Sequence, residues 1–181
     1  MKYSTKRKRA NQSPQESIEQ GLASCTGLSI ILADACRSVG VPARLAGIPS
    51  WKNKQGNHTW VEIWDQDWHF TGAAEPSDQG LNHAWFQSDA ALADPNSKLH
   101  SIYAVSFKKA DNRFPMVWSP SKTVYAENVT QRYLPPTPQA KEGEMIAESN
   151  RVPVMSRVWH AEKTERVEAN VEVQEVDTDN S

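Results

Sequence analysis

The chain has 181 residues, 38% of them hydrophobic, which is enough for one domain with a real core or one domain and a piece of a second. Its net charge of −2 argues against a general nucleic-acid binder, and no apolar run is long enough for a transmembrane helix. Two cysteines are too few for a disulfide scaffold.

The N-terminal stretch Met1 to Gln12 is basic, through Lys2, Lys6, Arg7, Lys8 and Arg9. No apolar core of a signal peptide follows it. It reads as a solvated arm or as a strand cut from something upstream, which makes an N-terminally truncated domain the expectation. Ser13-Pro14-Gln15-Glu16 is a capping box with proline at the first helical position, and it predicts a short helix from Pro14 to about Leu22. A second helix is expected to begin near Cys25, with Leu28, Ile31, Leu32, Ala35 and Val39 on one face. Gly40 and Pro42 end it.

Strands are expected over Ala43–Ile48, His58–Trp64, Trp68–Thr71 and Ser101–Phe107. In the second of these, Trp60, Glu62 and Trp64 share one face, and Thr59, Val61 and Ile63 the other. Gln87 to Lys98 reads as a short helix or an ordered loop. Residues 134–150 carry prolines and then polar residues, the composition of a linker. Beyond it, alternation over Val152–Trp159 and Val167–Gln174 predicts a hairpin that begins a β-rich domain with an acidic tail.

Cys25 lies in Ala-Ser-Cys-Thr-Gly at a predicted helix start. Helix N-termini favour a thiolate, and the thiolate is the useful nucleophile. The small neighbours Ser24, Thr26 and Gly27 would admit a substrate acyl group, and the Cys25 backbone N–H could serve an oxyanion. Cys36 lies mid-helix, about 16 Å further on, and reads as core. His58 opens a tryptophan-rich strand and could carry protons for such a thiol. Glu62, four residues later on the same strand face, reads as a structural partner for Arg44. The tryptophans between Trp51 and Trp85 suggest an aromatic-walled cleft, with Trp51, Trp60 and Thr26 as substrate contacts. No residue spacing suits a metal, and no cofactor motif is present, so none is expected.

The succession Cys-Thr-Gly-Leu-Ser, Val-Gly-Val-Pro-Ala-Arg and Gly-Asn-His-Thr-Trp-Val-Glu-Ile-Trp resembles the transglutaminase-like superfamily, which includes transglutaminases, peptide:N-glycanases and bacterial thiol proteases. The resemblance spans roughly residues 13–133. It implies an α+β, papain-like core over residues 1–133, with the Cys helix packed on an antiparallel sheet. It also implies Cys25 as nucleophile and His58 as base. The family's third member, an Asp four residues after a tryptophan, is replaced here by Gly72. Glu75 is the expected substitute, with Thr71, Asn82 or a backbone carbonyl as alternatives.

The expected activity is a thiol-dependent acyl transfer from peptide or protein amides, to water in preference to an amine, because no calcium-type site or amine channel shows in the sequence. A catalytically inactive module that binds protein is the alternative, raised by Gly72. The oligomeric state and the cellular location stay open, export being compatible with a truncated N-terminus.

Overall fold

A computed structural model describes residues 1–9, 12–116 and 119–136. The expected linker from residue 137 onward and the expected hairpin of 151–181 lie outside the described residues.

The capping box forms as the sequence predicts. Ser13 Oγ accepts from the Glu16 amide, Glu16 reaches back to the Ser13 amide, and α1 runs Pro14–Gln20. It ends earlier than expected because Gly21 takes the left-handed conformation at φ 65°. Leu22–Ala23 (β2) then pairs in parallel with Lys2–Tyr3 (β1), so the start of the basic arm is a strand held within the fold.

Helix α2, Cys25–Ser38, begins where expected. A six-stranded sheet follows: β3 Ala43–Ile48, β4 His58–Asp65, β5 Asp67–Thr71, β6 Tyr103–Val105, β7 Asn112–Met116 and β8 Ser119–Asn128. Its order is β5-β4-β3-β6-β8-β7, and every pair is antiparallel. The β7–β8 hairpin was not expected from the sequence, and β6 is shorter than predicted. In the stretch Gln87 to Lys98, expected as a short helix or an ordered loop, helix α3 takes only Gln87–Ala90.

Strand alternation sorts the core into two layers. Val61 and Ala43, with Leu45 and Ile63 beside them, face α2 and pack on Ala33, Leu32 and Cys36. Cys36 therefore belongs to the packing, as its mid-helix position implied. Ala46, Ile48 and Trp60 face the other way, against Trp51, Phe86, Ala90, Ile102 and Val129. The second layer is built mainly from loops, and aromatic rings fill it. The molecule is thus mixed helix and sheet, with the Cys25 helix on an antiparallel sheet.

Gly47 in β3 is a point of close approach. A Cβ there would lie 2.6 Å from the His58 carbonyl oxygen and 3.0 Å from the Phe114 ring. The absence of a side chain lets Phe114 close over the centre of the sheet.

Candidate active site

The start of α2 is set by Ser24. Its side chain accepts from the Gly27 amide at 3.0 Å, and its carbonyl from the Leu28 amide at 2.9 Å. The amides of Cys25 and Thr26 have no acceptor among the described residues, so the positive end of the helix is open at the half-buried thiol. Gly27 permits this first turn to lie close on β2, since a Cβ there would meet Ala23 Cβ at 3.0 Å.

The same turn is fastened to β4. Thr26 Oγ1 donates to Thr59 Oγ1 at 3.0 Å, and Ser29 Oγ donates to the Thr59 carbonyl at 3.2 Å. Cys25 and His58 are the immediate neighbours of the two bonded threonines. Thr59 faces α2, so His58 faces the opposite layer. There its ring centroid lies 4.9 Å from Trp85, 5.0 Å from Phe86, 5.9 Å from Trp60 and 6.3 Å from Trp51.

His58 is only 7% exposed, and its Nε2 is buried without a hydrogen-bond partner among the described residues. Burial, reinforced by the nearby Lys54 charge, lowers its pKa from 6.5 to about 4. At neutral pH the imidazole is uncharged and can accept a proton. No hydrogen bond joins Cys25 Sγ to either ring nitrogen among the described residues; a catalytic pair commonly tightens only once substrate is bound.

At Gly72, a Cβ would lie 3.2 Å from the Glu75 carbonyl oxygen and 3.7 Å from the Phe86 ring. The fully buried Phe86 therefore occupies the neighbourhood a carboxylate at position 72 would need. Glu75 is exposed, and its Oε2 accepts from Trp85 Nε1 at 2.6 Å. Its link to His58 runs through the Trp85 indole, with no direct hydrogen bond among the described residues. Asn82, a sequence alternative, is taken up by the Phe70 amide and His69. Thr71 pairs with Val61 and shares its face, away from His58.

The expected substrate contacts stand deeper than the sequence suggested. Thr26, Trp51 and Trp60 are 1%, 3% and 0% exposed. Thr26 spends its hydroxyl on Thr59. Trp60 donates its indole N–H to Tyr133 Oη at 2.9 Å. The exposed member of the aromatic cluster is Trp85, at 51%. Lys54 lies over both the Trp51 and the Trp85 rings, 5.2 and 4.9 Å from their centroids, and pairs with Asp89.

Below the tryptophans lies a buried polar network. Arg44 Nε donates to Glu62 Oε2 at 2.7 Å, as the sequence suggested, and Tyr133 Oη donates to Glu62 Oε1 at 2.7 Å. The guanidinium also stacks on Trp68, 4.0 Å from its ring centroid, and reaches Glu127 at 3.0 Å. Burial first, and then the Glu62 charge, holds the Tyr133 phenol well above its ordinary pKa, so it stays a donor.

Trp85 belongs to the tryptophans expected to wall the cleft, but its packing on His58 and its bond to Glu75 were not expected, since Trp85-Phe86 lies in a loop without periodicity. Sequence reasoning missed Tyr133, which lies at the edge of the expected linker and whose one sequence signal was aromatic content. Among the described residues no group of three or more His, Cys, Asp or Glu side chains gathers as a metal site.

The family model described as the transglutaminase-like superfamily matches residues 1–90, a stretch that holds Cys25, His58, Glu75 and Trp85. No curated protein and no solved structure matches the chain.

Proposed function

The chain belongs to the transglutaminase-like superfamily through its residues 1–90, and on that premise we propose that it is a cysteine-nucleophile enzyme acting on peptide or protein amides. The observation that carries this reading is the Thr26–Thr59 hydrogen bond. It docks the helix start that bears Cys25 on the strand start that bears His58, and a helix start is where a thiol gains nucleophilic character.

The mechanism follows from the protonation states. Neutral His58 takes the Cys25 S–H proton as sulfur attacks the amide carbonyl carbon. The Cys25 amide donates to the oxygen that gains charge. The C–N bond then breaks, and His58 returns the proton to the departing nitrogen, leaving a thioester on Cys25. Water attacks that thioester and gives a proton to His58. The C–S bond breaks, the acid departs, and the thiol regains its proton. Glu75 acts on His58 indirectly, by fixing the Trp85 ring that packs on the imidazole. Water is proposed as the acceptor ahead of an amine.

The burial of His58 without a polar partner favours one other reading, an inactive module that uses the same scaffold to bind protein. Alkylation with iodoacetamide separates the two, and Cys36 serves as the reference thiol in the same molecule. The enzyme reading expects Cys25 to be modified ahead of Cys36, and His58→Ala to slow Cys25 alone. Equal labelling of both thiols, unchanged by His58→Ala, moves the module reading ahead.

A further inference from the structure

A cavity of about 380 Å³ opens on the side of the Trp85 indole, lined by Glu75, Ser77, Gln79, His83, Trp85 and Gln87. That volume falls within the usual range for a ligand site. We propose that it is a substrate subsite that receives a basic side chain, arginine or lysine, of the peptide whose amide is cleaved. This rests on the enzyme reading above and names the substrate class for that site.

Three features support a cation. Glu75 is the one formally charged group among the carboxylates and amines of the lining. Its Oε2 is bound to Trp85 Nε1, and its Oε1 has no partner among the described residues. The other charge near this ring, Lys54, does not line the cavity and is held by Asp89. An ammonium or guanidinium in the cavity would gain the Glu75 charge and the face of a half-exposed indole together. Gln79 and Gln87 add amide oxygens for the remaining N–H donors. Trp85 also packs on His58, so the subsite lies one ring away from the proposed base.

The test is a titration of the full chain carrying Cys25→Ala with N-acetyl-arginine amide and, separately, N-acetyl-citrulline amide, which is isosteric and uncharged. The readout is the indole N–H resonance of Trp85. The proposal expects arginine to bind about fivefold more tightly than citrulline, a preference that Glu75→Gln abolishes. Ser77→Lys, in the wall of the cavity, places a competing ammonium there and is expected to weaken arginine binding as well. Equal binding of the two amides, or a preference that survives both variants, overturns the subsite. In the wild-type chain, peptide amides with arginine beside the scissile bond are expected to show a higher kcat/KM than their citrulline counterparts. Arginine-selective binding without any cleavage would retain the cavity as a cation site and discard the enzyme reading. Cleavage with no arginine preference in binding or rate would do the reverse.

Discussion

Thr26 and Thr59 share a hydrogen bond of 3.0 Å between side chains that are each 1% exposed. One residue belongs to the helix and the other to the sheet. The bond fixes the rotation of the α2 start relative to β4, and hence the direction in which Cys25 faces. Thr26→Val strands the Thr59 hydroxyl in a buried site and should cost about 1–3 kcal/mol. The double variant Thr26→Val, Thr59→Val should cost less than the sum of the two single ones. Urea unfolding of the four chains in the cycle measures the coupling, and simple additivity would show that the bond contributes nothing.

His58 makes stability depend on pH in a defined window. Its pKa is about 4 in the folded chain and near 6.5 when unfolded. Between those values the unfolded chain binds the extra proton. The contribution is therefore fully present above about pH 6.5 and is lost as pH falls toward 4, by about 3 kcal/mol in all. The carboxylates held below their ordinary values, such as Asp67, Asp89 and Asp94, titrate lower still. Urea midpoints between pH 7 and 4.5 should fall steadily in the wild type and stay nearly flat in His58→Gln. Parallel curves would mean that His58 is solvated in solution.

Arg44 and Glu62 are 4% and 2% exposed, which makes their ion pair costly to break from one side. Arg44→Met leaves the Glu62 carboxylate buried with only Tyr133 as donor, and should destabilise by about 3–5 kcal/mol. Arg44→Met with Glu62→Leu should recover much of that loss. Thermal or urea denaturation decides it, and a single variant as stable as wild type would show that water reaches Glu62.

A methyl group at Gly47 would press on the His58 carbonyl from 2.6 Å and on Phe114 from 3.0 Å. Gly47→Ala should cost about 1–3 kcal/mol by overpacking. It should also slow Cys25 alkylation in the still-folded protein, because the strand it displaces carries His58. Unchanged labelling in a destabilised chain would confine the effect to the core.

The first half of the chain was the more legible in sequence. The capping box at Ser13, the helix start at Cys25 and the period-two faces of His58–Trp64 are local signals, and each sits where its local rule places it. The arm before Gln12 was less so, because Lys2–Tyr3 becomes a strand only by pairing with a segment about twenty residues later. The β7–β8 hairpin has weak alternation and polar residues, and its partner β6 is chosen by the whole sheet. The site divides in the same way. Cys25 and His58 carry motif-level signals. Trp85, Glu75 and Tyr133 meet through loops, where the hydrogen-bond partner depends on tertiary packing. Glu75 was anticipated as a partner of the imidazole, and its carboxylate turns instead to the indole beside it.

The Tyr133 clamp has a consequence for how the chain is made. Trp60 and Glu62 complete their hydrogen bonds with a residue 73 and 71 positions downstream. At about 5–20 residues per second, a ribosome needs roughly 4–15 seconds to supply it. For that interval a nascent chain holds a charged pair and an indole N–H short of a partner, and for its first part, until Tyr103–Val105 is made, β3 also lacks the β6 strand that covers its second edge. Completion of the site is thus a late event in synthesis, and chains released before residue 133 are the ones exposed to proteolysis and to edge-to-edge association.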